Sequence, residues 1–133
     1  MAGKIDRALP DLRRRAAETR GRRAETLAAL VLRLKGYRVL SRRFKTPSGE
    51  IDLIVKRGRT IAFVEVKTRA EAEAAVEAVT RKARRRIARA AALWVAAHPE
   101  AAEFDLRFDA VIIARRRLPR HLVAMFDVEG RPW

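Results

Sequence analysis

Residues 49–67, GEIDLIVKRGRTIAFVEVK, predict the centre of the fold because they have the pattern of a β-hairpin. Apolar residues alternate with polar ones from position 51 to 55, and a second apolar run covers 61–64. Between them lies the turn 56–59, in which Gly58 can adopt the positive φ that a tight hairpin needs. The rest of the chain is therefore expected to pack around two adjacent antiparallel strands.

Three polar residues interrupt this apolar hairpin: Asp52, Glu65 and Lys67. Glu65 and Lys67 are two positions apart, so their side chains point to the same face of a strand. A two-residue loop at Gly58 and Arg59 sets Asp52 opposite Glu65, whereas a loop one residue earlier makes the two carboxylates diagonal neighbours. In either register, two carboxylates and one ammonium converge on one face.

This cluster predicts a cation site. Two carboxylates on adjacent strands repel one another and resist burial unless a cation lies between them. Mg²⁺ (or Mn²⁺) prefers oxygen ligands and commonly uses one or two carboxylates. A lysine beside such an ion can place a water molecule and offset charge on a phosphate. The alternative is an ordinary Glu65–Lys67 ion pair on a solvated sheet face, with Asp52 as an exposed strand residue.

The composition is that of one folded domain. The chain has 133 residues, of which 49% are hydrophobic and 35% charged, which argues against intrinsic disorder. It has no cysteine, which excludes disulfides, thiolate zinc sites and cysteine nucleophiles, and its two histidines match no metal-ligand spacing. No apolar run is long enough to cross a membrane and no signal-like stretch follows the basic N-terminus, so a cytoplasmic protein with no membrane partner is expected.

The formal net charge of +15 predicts a polyanionic partner. Excess arginine binds phosphate groups with an affinity that falls steeply as salt rises. A membrane surface, or a genome that favours arginine codons, would also account for such a charge. Nucleic acid is the better interpretation because the carboxylate cluster could catalyse a reaction on the phosphates that the arginines bind.

Composition divides the chain into three parts. Residues 1–21 form a basic N-terminal arm, whose arginine clusters indicate either a solvated tail or a phosphate-binding arm. Residues 22–128 form the folded domain, and residues 129–133 form a C-terminal tail.

The first helix is predicted over 22–35 and ends at Gly36. Glu25 lies among alanines, on a face where small neighbours would let the helix approach a sheet closely. The larger apolar residues follow the helical repeat and form a stripe on a different face from Glu25: Leu27, Leu30, Val31 and Leu34.

The second helix is predicted from Thr80, a plausible N-cap residue, to about Ala97. Trp94 belongs to its apolar stripe and is expected in the core. The first turns are basic, although cations at a helix N-terminus oppose the macrodipole. We therefore expect a phosphate cradle there, the alternative being a solvated face paired with acidic residues one turn away. The cradle includes Arg81, Lys82, Arg85 and Arg86.

Three further strands are predicted at 37–44, 106–114 and 122–128, which gives the order αβββαββ. Because a helix separates the third and fourth strands, those two are expected to run parallel within a mixed sheet. Asp109 interrupts the apolar run of the fourth strand and is expected to pair with Arg107 or with another nearby basic side chain. His121, at the edge, is expected to have no special role.

These residues and their order resemble the YraN family of small bacterial proteins and, more broadly, the PD-(D/E)xK nuclease superfamily, to which archaeal Holliday-junction resolvases belong. The resemblance covers about residues 22–126. It rests on Ala24-Glu25 in the first helix, KGY at 35–37, GEIDLI at 49–54, FVEVKTR at 63–69, Lys82, and RFD at 107–109.

The resemblance implies a restriction-endonuclease-like α/β fold, a mixed sheet with helices packed on it. It implies that Asp52 and Glu65 bind Mg²⁺ or Mn²⁺, and that Lys67 activates or places the attacking water. Ile51 precedes Asp52 where the superfamily's name motif has proline, as is usual in YraN-like sequences.

The same resemblance implies that Glu25 is a further catalytic residue and metal ligand, that Lys82 contacts phosphate, and that Arg69 binds nucleic acid. The expected function is a metal-dependent endonuclease acting on DNA, including branched or structured DNA, for which a homodimer would be suitable. The alternatives are a non-catalytic nucleic-acid-binding module with a relic active site, and an accessory protein that binds a partner through the basic helix.

Overall fold

The computed structural model describes residues 15, 21–68 and 81–126, without the side chains of 81–83 and 126. Helix α1 covers 21–34. The later elements are β1 Arg38–Thr46, β2 Gly49–Arg57, β3 Thr60–Thr68, α2 Arg81–Ala97, the 3-10 helix Pro99–Glu103, β4 Asp105–Ile113 and β5 Arg120–Phe126. None of the helices in these ranges is long and apolar enough to cross a membrane.

The five strands form one mixed sheet with the spatial order β1-β2-β3-β4-β5. Neighbouring strands are antiparallel except β3 and β4, which are parallel because the chain crosses back through α2 between them. The predicted α/β class and mixed sheet are therefore confirmed. Strand bounds differ from the predicted ones by one or two residues, and the short 3-10 helix after α2 was not predicted.

The central hairpin has the two-residue loop that Gly58 predicts. Arg57 pairs with Thr60, and Gly58 has a φ of 60°. The pairing continues to Leu53 and Val64 without a register shift. This register brings the polar ends of β2 and β3 to the same end of the sheet.

Each face of the sheet carries its own apolar cluster. Under α1, the side chains of β2 and β3 pack with three residues of the helix and with Tyr37 and Val111. Under α2, the sheet residues pack with Ala90, Ala91 and Trp94. The two helices therefore cover opposite faces of the same central strands.

The inward face of α1 is the one that carries the alanines. The expected leucine stripe points away from the sheet, and Leu34 is 80% exposed. Alanines face the sheet instead, because small side chains let the helix axis approach the strands closely, which leucines at those positions would prevent. Glu25 is buried with them. The buried residues of the helix are Ala24, Glu25, Ala28, Ala29 and Leu32, and the exposed leucines are Leu27, Leu30 and Leu34.

Helix α2 packs as predicted around Trp94, whose ring lies 5.8 Å from that of Phe63 in an edge-on contact and 4.1 Å from the stacked ring of His98. Near its beginning the helix approaches the sheet at Gly49. A Cβ atom at Gly49 would lie 3.3 Å from the carbonyl oxygen of Arg86. This close approach places the start of α2 beside the start of β2.

The alternation of β2 breaks at Asp52. Ile51 packs in the cluster under α2, but Leu53, two residues later, packs in the cluster under α1. On the neighbouring strand, Arg43 lies at the same level and has a φ of 53°. At the other edge of the sheet, Ala124 of β5 also has a positive φ, 56°. The pairing of each of these strands contains a register shift.

Candidate functional site

Asp52 lies where the β2–β3 ladder ends. The last main-chain pair is Leu53 with Val64, and the same register would next set Asp52 opposite Glu65. The Asp52 carboxylate instead accepts a hydrogen bond from the backbone N–H of Val66, at 2.8 Å from Oδ2. A side-chain oxygen of Asp52 therefore accepts a backbone N–H of β3 that would otherwise bond to the main chain of β2. This hydrogen bond fixes the carboxylate at this end of the sheet.

The surroundings of Asp52 disfavour its negative charge. Its pKa is raised from the ordinary value of 3.8 to about 6, chiefly by burial and also by the nearby carboxylates of Glu65, Glu25 and Glu50, while the hydrogen bond from Val66 opposes the rise. No ion pair to Asp52 forms among the side chains of the described ranges. The site thus holds more negative charge than its described cations neutralise.

Glu65 and Lys67 lie together on the next strand. Lys67 Nζ is 3.3 Å from Glu65 Oε1, and both side chains are partly exposed. This is the same-face placement that their spacing predicts. An ammonium group is therefore held beside the carboxylate cluster at the open end of the sheet.

Glu25 reaches the same region from α1 but is bound by arginines. Its Oε2 accepts a hydrogen bond from Arg43 Nε at 2.9 Å, and its Oε1 lies 3.6 Å from Arg42 Nε. Arg42 also donates to the hydroxyl of Thr26, at 3.1 Å. These residues line a recess of about 250 Å³ together with Arg22.

A divalent cation fits Asp52 and Glu65 better than it fits the full predicted set. Within residues 21–68 and 81–126, no three carboxylate or imidazole groups converge closely enough to hold a metal ion. Mg²⁺ needs only one or two carboxylates, since water completes its shell. Asp52 supplies a poorly neutralised carboxylate at the ladder's end, with Glu65 near enough to raise its pKa. Glu25 is near enough to do the same, but its oxygens face the two arginines.

The structure describes the side chains of some basic residues of α2 but not of others. Arg85 and Arg86 are exposed, and Arg86 lies over Gly49, at the start of the strand that carries Asp52. The backbone of Arg81 and Lys82 belongs to the helix, but their side chains lie outside the described part, as does the whole of Arg69. The basic arm 1–21, apart from residues 15 and 21, and the tail 129–133 lie outside it too.

A second polar cluster surrounds Asp109, on the side of the sheet that α1 covers. Arg107 donates two hydrogen bonds to the carboxylate, each 2.8 Å long, as the sequence suggested. His121 Nε2 lies 2.7 Å from the same carboxylate, and Ala124 donates its backbone N–H. Burial alone would raise the pKa of Asp109, but the hydrogen bonds from His121, Arg107 and Ala124 outweigh burial and lower it.

The interpretation of His121 as incidental was wrong. Its side chain is only 4% exposed, and Lys35 donates a hydrogen bond to Nδ1, which leaves Nε2 to donate to Asp109. Arg107 continues the network to the hydroxyl of Tyr37, at 2.6 Å. The network ties β4, β5 and the end of α1 together and is structural.

The sequence reasoning overlooked Arg42 and Arg43 completely. On a regular strand, adjacent side chains point to opposite faces, so both would not be expected to contact one helix. Because Arg43 adopts a left-handed conformation, both guanidinium groups reach Glu25. The only signal in the sequence was the break in alternation at Ser41-Arg42-Arg43-Phe44.

Comparison with known proteins finds one matching family profile, that of the Uncharacterised protein family UPF0102, over residues 24–113. A UPF0102 protein of Methylorubrum extorquens is 60% identical over 121 residues, covering 91% of this chain and 94% of its own. A UPF0102 protein of Parvibaculum lavamentivorans is 60% identical over 107 residues, covering 80% of each chain. The UPF0102 protein bll0669 of Bradyrhizobium diazoefficiens is 55% identical over 112 residues, covering 84% of each. These names state no activity or ligand.

Proposed function

We propose that this chain, which belongs to the UPF0102 family (the YraN-type family that its motifs resemble), is a Mg²⁺-dependent endonuclease that hydrolyses phosphodiester bonds of branched or structured DNA. The mixed five-stranded sheet with a helix on each face is compatible with a restriction-endonuclease-like fold. The motif residues Asp52, Glu65 and Lys67 belong to β2 and β3 at one end of that sheet.

The proposal depends above all on the state of Asp52. A carboxylate that is largely buried, surrounded by three other carboxylates and raised in pKa to about 6 lowers the stability of the fold when it is ionised. Structural carboxylates are normally placed beside cations, as Asp109 is here. Strongly perturbed groups of this kind cluster at functional sites, and a bound divalent cation would remove the perturbation.

Asp52 and Glu65 would hold the ion, and Glu50 lies near enough to add negative charge. When bound, Mg²⁺ supplies positive charge to a phosphate oxygen and makes a coordinated water more acidic. Mn²⁺ prefers the same oxygen ligands and is the natural substitute in assays.

Lys67 contributes an ammonium group at the reacting end of the site. It is held 3.3 Å from Glu65 Oε1 and is only partly exposed, so it can donate a hydrogen bond to the attacking water or to a phosphate oxygen. Hydrolysis forms one phosphorus–oxygen bond from water and breaks another to the leaving strand. In this role Lys67 places the water and offsets the charge that develops on phosphorus-bound oxygen.

The basic side chains of α2 would hold the DNA backbone over the site. Arg85, Arg86 and Arg89 are exposed, and the helix starts beside the strand that carries Asp52. Contacts of this kind bind phosphate without reading bases, which suits recognition of DNA shape. Together with the net charge of +15, they predict strongly salt-dependent binding.

The second candidate is a nucleic-acid-binding module without catalysis. It is favoured by one observation: in the described ranges, no three ligand side chains converge on a metal position, and Glu25 is bound by arginines. In that case the basic surface would bind DNA, and the acidic residues would be a relic.

Cleavage of labelled DNA separates the two. Linear, flapped and four-way-junction DNA, and RNA of matched shape, would be incubated with Mg²⁺, with Mn²⁺ or with EDTA. The wild type would be compared with Asp52→Asn and Lys67→Ala, and with Asp105→Asn as a matched control, since Asp105 is an exposed carboxylate at the start of β4. DNA binding by each variant would be measured in parallel in EDTA.

We expect metal-dependent cleavage by the wild type and by Asp105→Asn, and its loss in the two site variants while DNA binding is kept. The substrate that is cut fastest defines the preferred DNA shape. If no substrate is cut, and Asp52→Asn binds DNA as tightly as the wild type does, the binding module is the correct function.

A further inference from the structure

The recess between α1 and β1 contains more positive charge than its own carboxylate neutralises. Its volume is about 250 Å³, and its lining comprises Arg22, Glu25, Thr26, Arg42 and Arg43. Three guanidinium groups and one carboxylate therefore line the recess.

The two arginines of β1 are held in place. Arg43 Nε donates to Glu25 Oε2 at 2.9 Å, and Arg42 donates to Thr26 at 3.1 Å while its Nε lies 3.6 Å from Glu25 Oε1. Glu25 is only 6% exposed, so removal of the arginines would leave a buried charge without a partner. Glu25 therefore fixes the position of both guanidinium groups.

Among the described residues, few donors of these arginines have a hydrogen-bond partner. A guanidinium carries five N–H groups, and the described hydrogen bonds use one of them in Arg42 and one in Arg43. Both arginines line the recess, to which Arg22 adds a third charge. Pre-positioned guanidinium groups with free N–H pairs bind phosphate in bidentate geometry.

The recess is adjacent to the candidate active site. Asp52 interacts electrostatically both with Glu25, which raises the pKa of Asp52, and with Arg43, whose own pKa is raised chiefly by its hydrogen bond to Glu25. Arg43 also stands at the level of Asp52 on the neighbouring strand. A nucleic-acid strand with a phosphate bound at Asp52 would therefore pass this recess.

We propose that Arg42 and Arg43 bind an internal phosphodiester of the nucleic acid next to the one that is cut, and that Glu25 is a positioning residue for these arginines and not a metal ligand. This inference rests on the proposed function for the identity of its ligand, but it requires no catalysis. It assigns Glu25 differently from the role that the family resemblance implies.

The test is DNA binding without metal, measured by the fluorescence anisotropy of a short labelled duplex in EDTA over a range of salt concentrations. The double variant Arg42→Gln/Arg43→Gln would be compared with Arg38→Gln/Arg59→Gln, which removes the same charge from exposed residues at the opposite end of the sheet. Loss of one phosphate contact lowers the slope of log K against log salt by about 1, and loss of its charged hydrogen bonds lowers the affinity roughly ten-fold. We expect both effects in the first variant and much smaller ones in the second.

Two more variants keep the result interpretable. Arg43→Lys retains the charge and the ion pair to Glu25 but lacks the bidentate fork, so it should weaken binding even if the glutamine variants prove unstable in urea unfolding. Glu25→Gln should weaken DNA binding in EDTA but should still bind one Mn²⁺ ion, as measured by calorimetry, because the proposed ligands Asp52 and Glu65 are kept.

Opposite results overturn the inference. Equal binding by the two double variants, or by Arg43→Lys and the wild type, would show that the recess does not bind phosphate. Loss of Mn²⁺ binding in Glu25→Gln with unchanged DNA binding would make Glu25 a metal ligand. Binding that depends on a 5′-phosphate would assign the recess to a strand end instead. None of these readouts is cleavage, so failure of the recess and failure of the nuclease are distinguishable.

Discussion

Replacing Asp52 with asparagine should stabilise the protein while it removes the carboxylate on which the proposed chemistry depends. The pKa of Asp52 is about 6 in the folded protein and has an ordinary value of 3.8. At 1.36 kcal/mol per pKa unit, this difference corresponds to about 3 kcal/mol that opposes folding when Asp52 is ionised. Because Asp52 is partly exposed, solvent screening reduces the expected gain in the free energy of unfolding to about 1–3 kcal/mol.

The pH dependence has a defined sign. A carboxyl group whose pKa is higher in the folded than in the unfolded state binds protons preferentially in the folded state. The loss of stability caused by ionised Asp52 is therefore absent below a pH near the pKa of the unfolded state. It develops as the pH rises through about 4 to 6 and is complete above about 6. In the Asp52→Asn variant, the side-chain amide keeps an oxygen that accepts the hydrogen bond from the Val66 N–H but carries no charge. The free energy of unfolding of this variant should therefore not decline in this way as the pH rises.

Urea unfolding followed by tryptophan fluorescence, from about pH 4 to about pH 8, measures the effect without adding salt. Asp105→Asn makes the same chemical change at an exposed position and should follow the wild type. Addition of Mg²⁺ should stabilise the wild type and Asp105→Asn but not Asp52→Asn. If Asp52→Asn is no more stable than the wild type at about pH 8, or loses the same stability between about pH 4 and 6, the electrostatic reasoning about this site is refuted.

Three further predictions concern the fold. Leu32→Ala should lower the free energy of unfolding by about 2–5 kcal/mol, because Leu32 is fully buried. Leu34→Ala, two residues along α1, should change it by less than about 0.5 kcal/mol. Similar losses for the two variants in urea unfolding would contradict the observed helix orientation. Asp109→Ala should cost about 3–5 kcal/mol, because it leaves a partly buried guanidinium without its carboxylate, and an unchanged urea midpoint would show that this network contributes nothing to stability. Gly49→Ala should cost about 1 kcal/mol, because its Cβ would press on the carbonyl oxygen of Arg86, and a thermal midpoint equal to that of the wild type would mean that α2 can shift freely.

The features that the sequence predicted well are those with a short repeat. The hairpin and its turn follow from apolar alternation and from Gly58, and of the two loop positions that the sequence allows, the structure has the one at Gly58 and Arg59. The same repeat of two places Glu65 and Lys67 together. These features are local, so no knowledge of distant contacts was needed.

The orientation of α1 was not predictable from hydrophobicity alone. Leucine is more apolar than alanine, but the space between helix and sheet decides which residue fits, and that space is set by the strands. Leu34 therefore faces outward while Ala28 is fully buried. Glu25 is buried on the same face because arginines from β1 accompany it, and that pairing depends on a backbone conformation at Arg43 that the sequence does not specify.

The partner of Asp109 in β5 was missed for a related reason. His121 and Asp109 meet across a ladder whose register shifts between Phe108 and Ala110. A shift of this kind changes which side chains face one another, and no residue in the sequence announces it. Contacts across an irregular pair of strands are read from the structure only.

The irregular outer strands have a consequence for solubility. A basic protein is kept apart from its own copies by charge repulsion, but that repulsion is lost when the charge is neutralised along a polyanion. Bound molecules could then join by pairing their free strand edges, the usual route to aggregation. In the described sheet both outer strands are irregular, since Arg43 in β1 and Ala124 in β5 have positive φ, and Ala124 gives its N–H to Asp109. Irregularities of this kind disfavour edge-to-edge pairing between copies, including copies that a shared polyanion would bring close together.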